Sequence, residues 1–106
     1  MNNKLKKKYE MRAQVIKAMA HPIRLYMIEL LAQDERNVSD LTVKAGIDIS
    51  TVSRHLSILK NAGIIDDRRQ GKTVLYRLKT PCVMSFFGCI ETVLRETGQE
   101  LLTLSR

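Results

Sequence analysis

The stretch ISTVSRHLSILKNAG, Ile49 to Gly63, decides how the rest of this chain is read. At about 100° per residue, Ile49, Val52, Leu56 and Leu59 fall within one quadrant of a helix, and Ser50, Arg54, Ser57 and Asn61 lie roughly opposite. One face is made for burial; the other is free to touch something. Asp48 is placed to cap the first turn, and Gly63 follows the last apolar turn as a stop signal, so a helix of about four turns is expected. Most helices of this kind only cover a core. The flanking sequence points further.

Upstream, Asn37 or Ser39 is placed to cap a short helix carrying Leu41, Val43 and Ala45. Gly46-Ile47-Asp48 is then a three-residue link, the length and glycine content of a helix-turn-helix. Downstream, residues 64–69 and Thr73 to Leu78 alternate as two strands around Gln70-Gly71-Lys72, a β-hairpin with Arg68, Arg69 and Lys72 at its tip. Three cations beside an exposed polar helix face suit phosphate contact better than a merely solvated turn. These parts make a winged helix-turn-helix, with the helix pair at about 38–62 and the wing at about 64–78. Two further helices flank it. Residues 3–20 place Leu5, Tyr9, Ala13, Ile16 and Ala20 on one face, with lysines 4, 6, 7 and 8 opposing the dipole at its start. His21-Pro22 breaks that helix, and Ile23 to Gln33 reads as the most apolar element and core strut. Asp34 to Asn37 reads as a polar break. Thr80 as cap and Pro81 as first residue open a last helix running to about Thr103.

With 106 residues, 44% of them hydrophobic, the chain suits a single domain, 1–106, that is mainly α with a small β-hairpin. The formal charge of +7 is localised: residues 1–12 hold five Lys/Arg against one acid and residues 54–79 hold seven against two. Such a field attracts a polyanion. No segment approaches the roughly 20 apolar residues that cross a bilayer, so no membrane partner and a cytoplasmic location are expected. Two cysteines without a framework fit a reducing compartment.

Three stretches resemble the ArsR/SmtB family of metal- and metalloid-responsive winged-helix repressors: AMAHPIRLYMIELLA (Ala18 to Ala32), STVSRHLSILKNAGII (Ser50 to Ile65) and DRRQGKTVLYRL (Asp67 to Leu78). The resemblance implies a transcriptional repressor acting on double-stranded operator DNA. It implies a homodimer joined through the first and last helices, at about 3–20 and 81–103. It places the start of the Ile49 helix in the major groove, with Ser50, Thr51, Ser53 and Arg54 at base edges and Ser57 on the same face. Arg54 leads, because a guanidinium can address guanine O6 and N7 together. His55 is grouped with these contacts, although its place at the edge of the apolar face favours a structural role. Arg68, Arg69 and Lys72 are expected to neutralise phosphates.

The family's inducer sites are tested position by position. Its arsenic-type cysteine pattern on the third helix is replaced here by Asn37-Val38-Ser39-Asp40-Leu41. Its zinc-type site on the last helix needs histidines, and none follows His55. Cys82 and Cys89 remain as metal(loid) ligands, making trivalent arsenic or antimony the first inducer to consider, with no cofactor required. They share a helix face but stand about 10 Å apart along a straight helix, so one ion needs a bent first turn or a thiol from another subunit. Core packing and a redox thiol switch are the competing readings. A protein-interaction module is the rival for the whole fold. An enzyme is not expected: Cys89 and Arg95 have the Cys-x5-Arg spacing of phosphatase loops, but no glycine between them lets amides cradle an oxyanion.

Overall fold

The computed structural model describes residues 1–98. The element order is α1 (Asn3–Met19), α2 (Pro22–Gln33), β1 (Arg36–Asn37), α3 (Val38–Ala45), α4 (Ile49–Asn61), β2 (Ile65–Gln70), β3 (Thr73–Leu78) and α5 (Val83–Glu96). The core sits where α2, α3 and α4 meet the sheet. Met27, Ile28, Leu41, Val52, Leu56, Leu59 and Ile65 are its fully buried members.

Local signals set most boundaries. His21 caps α2, its Nδ1 accepting from the Ile23 amide at 3.1 Å, and Pro22 fills the first helical position, where no amide partner is lost. Of the two caps weighed for α3, Asn37 does the work, accepting from the Asp40 amide at 2.8 Å. After α4, Gly63 turns left-handed with φ 83°. Its amide reaches the Lys60 carbonyl at 3.0 Å and the Ile64 amide reaches that of Leu59 at 3.1 Å. Both carbonyls of the last turn are thereby satisfied, while Ile64 and Leu59 are buried.

The expected two-stranded wing belongs to a three-stranded antiparallel sheet, ordered β1-β3-β2. Arg36 pairs with Tyr76 and Asn37 with Leu75, so the supposed polar break is a short edge strand. Arg36 explains it. Its guanidinium donates to the Leu30 carbonyl at 3.1 Å, to Gln33 at 2.9 Å and to Asp40 at 2.8 Å, binding the end of α2 to the start of α3. In the hairpin Gln70 pairs with Thr73, leaving the two-residue turn Gly71-Lys72. Gly71 takes φ 64°, as the first position of a tight hairpin turn of opposite hand requires.

The last helix departs from expectation at both ends. Thr80 and Pro81 form a turn instead of its first residues, and α5 begins at Val83 with no side-chain cap. The amides of Val83, Met84 and Ser85 instead reach back three residues, to the carbonyls of Thr80, Pro81 and Cys82. It ends at Glu96, and Gly98 has φ 77°. The remainder of the expected run to Thr103 lies outside the described residues. Along α1 only Met19 is buried, and Tyr9 and Ile16 are about half exposed.

Candidate nucleic-acid interface

Asp48 caps the start of α4. Its carboxylate accepts from the Thr51 amide at 3.0 Å and from the Thr51 hydroxyl at 2.7 Å. Those two donors hold the carboxyl below the ordinary value of 3.8, and the Arg54 charge adds to them. Val52, Leu56 and Leu59 then turn into the core, and Ser50, Ser53, Arg54 and Ser57 are all exposed. Burial of the stripe therefore fixes the outward aim of the polar face.

Two residues grouped with that face stand apart from it. Thr51 is half-buried and its hydroxyl is donated to Asp48, so it serves the cap. His55, expected at the edge of the apolar face, is only 9% exposed, less than any residue grouped with it on that face. Its Nδ1 lies 3.0 Å from Nη1 of Arg24, and its ring stands 4.5 Å from that of His21. Burial first, then the charges of His21, Arg24 and Arg54, push His55 below its ordinary 6.5. Ile49, expected in the buried quadrant, is 51% exposed beside Ser50, because the first turn projects beyond the core. Its helix-terminal position was the available signal.

The wing cations do not form one cluster. Arg68 lies within β2, paired with Leu75, and not at the turn. Its Nε and Nη2 both donate to one oxygen of Glu35, at 3.1 and 2.8 Å. Arg69, next along the strand, projects from the opposite face of the hairpin. Arg69 and Lys72 are exposed and have no ion-pair partner among the described residues. Lys60 and Arg77 are engaged by Asp67 and Asp66 at the hairpin's base.

Cys82 occupies the capping position of α5, at the rim of an open apolar cleft formed with Ile16, Met19, Ile64, Val83 and Phe86. Cys89 is exposed farther along α5, so neither thiol is a core residue. Cys82 thus lies in the turn ahead of α5 and Cys89 in its second turn. No group of three or more His, Cys, Asp or Glu side chains suited to a metal occurs among the described residues. No helix among them is long and apolar enough to cross a membrane.

The helix pair, link and hairpin match what is known of other chains. Residues 21–67 fit the model of the bacterial regulatory protein, arsR family. The HTH-type transcriptional regulator Rv0081 of Mycobacterium tuberculosis is 31% identical over 87 residues, covering 81% of this chain and 76% of its own length. The biofilm growth-associated repressor of Agrobacterium fabrum is 44% identical over 66 residues, 62% of this chain and 56% of the repressor. Among solved structures, the homodimeric winged helix-turn-helix DNA-binding domain Mb0332 of Mycobacterium bovis superposes with TM-score 0.78 at 31% identity, covering 92% of this chain and 90% of that one. These relatives are regulators of transcription and not enzymes. By fold and by sequence, the chain belongs to the arsR family of bacterial transcriptional regulators and is a winged helix-turn-helix protein.

Proposed function

We propose that the chain is a sequence-specific repressor that binds operator DNA as a homodimer, with the first half of α4 in the major groove. The observation that carries this reading is the division of α4 into a buried stripe of Val52, Leu56 and Leu59 and an exposed face of Ser50, Ser53, Arg54 and Ser57. Arg54 takes a guanine edge, the three serines take base edges or nearby phosphates, and Ile49 offers an apolar contact to a thymine methyl. Thr51 acts through the cap that sets the helix start. Arg69 and Lys72 neutralise phosphates, and Arg68 joins them when phosphate displaces Glu35. Two copies pair through the apolar faces of α1 and α5, which a single chain leaves exposed. The test is binding to duplexes selected in vitro from random sequence. A selected pseudo-palindrome bound far more tightly than random duplex, with affinity falling steeply in salt, supports the reading; equal affinity for both removes it.

The release signal in this proposal is a thiol-binding one. The chain has two cysteines, both exposed, and soft trivalent arsenic or antimony is the ligand class that thiols select. Rise along a straight helix would part residues seven apart by about 10 Å, so in this proposal a shared ion draws thiols from two copies. Cys82→Ser and Cys89→Ser, titrated with arsenite in the presence of bound duplex, decide the matter: release lost in either variant supports the thiol site, and release unchanged in both removes it.

A further inference from the structure

We infer that the His21–Arg24–His55 cluster makes DNA reading sensitive to acid: a proton on His55 loosens the seat of α4 and weakens operator binding. This regulation rests on the DNA-reading role proposed above.

The cluster joins three elements. Arg24 stands in the first turn of α2, its Nε donating to the Ala18 carbonyl near the end of α1 at 2.6 Å and its Nη1 reaching His55 Nδ1 on α4 at 3.0 Å. A guanidinium only donates, so Nδ1 of His55 is the acceptor and its neutral ring carries hydrogen on Nε2. His21 is committed in the same way, its Nδ1 accepting from the Ile23 amide. A proton on His55 Nδ1 would set donor against donor at 3.0 Å and place a second cation beside Arg24, on a residue with 9% of its surface exposed. A proton on His21 Nδ1 would remove the cap of α2.

The surroundings offer that charge no relief. The groups acting on the ring from the elements packed against it are His21 and Arg24, with Arg54 on its own helix, and none of them is an anion. Burial and these neighbours keep the ring neutral down to a pH below its ordinary 6.5, so the change falls on the acid side of that value. His55 directly follows Arg54, and a shift at the ring therefore displaces the residues that read DNA. The expected sign is distinctive. A cation added to a DNA-binding surface ordinarily strengthens binding, whereas this proton weakens it.

Two measurements test the coupling. In the free wild-type protein, an NMR titration of the histidine rings is expected to place the His55 midpoint below 6.5, with the amides of Ser50 to Arg54 shifting at that same midpoint. Affinity for a duplex selected in vitro is expected to fall on going from pH 7 to 5.5 at fixed ionic strength, by up to about tenfold per pH unit below the midpoint, the limit for one proton. His55→Asn, which keeps an acceptor for Arg24 but does not titrate, should lose the fall. His21→Asn keeps a capping oxygen and removes one repelling neighbour, so it should raise the His55 midpoint; with the wild-type titration it decides the matter should His55→Asn not fold. A midpoint at or above 6.5, silent amides in α4, or equal pH profiles for wild type and His55→Asn overturn the proposal. Failure to prefer any selected duplex overturns the DNA-reading role instead, and leaves the titration to judge the cluster.

Discussion

The helices α4 and α5 are both strongly amphipathic, yet among the described residues only α4 has its apolar stripe covered. Val52, Leu56 and Leu59 of α4 are at most 1% exposed, whereas Phe86, Ile90 and Val93 of α5 are 39, 43 and 56% exposed. On α1, Tyr9 and Ile16 share the condition of the α5 residues. The helix-turn-helix and its sheet thus form a finished unit, while among the described residues the terminal helices leave an apolar surface exposed, the kind of patch that suits a partner. In the proposed dimer that partner is a second copy.

The largest effect should come from the finished unit. Leu56→Ala opens a cavity in a packed site and is expected to cost about 3 kcal/mol in urea unfolding, by the same amount at every protein concentration. Val93→Asp, on the exposed stripe, is expected to leave the subunit's fold intact and raise the dimer dissociation constant about tenfold or more in sedimentation experiments. If Val93→Asp unfolds the chain while Leu56→Ala only shifts oligomeric state, the contrast between the two helices is wrong. A smaller loss, about 1 kcal/mol, is expected for Asn37→Ala, which uncaps α3 without touching the core.

The pH dependences sharpen the same contrast. Because His55 is held below 6.5, the unfolded chain binds its proton more readily than the folded one. Its stabilising contribution is present above 6.5 and is lost as pH falls beneath that value, and urea midpoints should record the decline. Asp66 gives the smallest effect. The Arg77 side chain, by its hydrogen bond first and its charge next, holds this carboxyl below 3.8, so the pair contributes above 3.8 and fails as pH drops through the lowered value. The pair is exposed at the wing's base, and Asp66→Asn should change stability only slightly, with the change shrinking in salt.

Wherever a local rule decided the outcome, the sequence was a good guide. Asp48, Asn37, Gly46 and Gly63 end or begin helices where their chemistry predicts, and the 3.6-residue period correctly aimed Ser50 and Arg54 outward. Partners distant in sequence were not legible. The strand at Arg36 exists through pairing with Tyr76, forty residues away, and two residues are too few to show alternation. Glu35 claims Arg68 across a similar separation. Arg24 and His55 meet only because α2 crosses α4, so no spacing announces their contact. Period also cannot reveal where a core stops, which is why Ile49 has the right register and yet is exposed, whereas Val43, about 200° around α3 from buried Leu41, faces out as the period dictates. For α5, Thr80 and Pro81 carry the local signal of a helix start, yet the turn they make precedes the helix by two residues.

The most direct test of the central claim is the affinity of Arg54→Ala for a selected duplex and for random duplex, measured side by side at one salt concentration. A loss of about 1–3 kcal/mol is expected on the selected duplex, roughly fivefold to 150-fold, with much less change on the random one. Equal losses on both would reduce Arg54 to a phosphate contact and contradict base reading by the exposed face of α4.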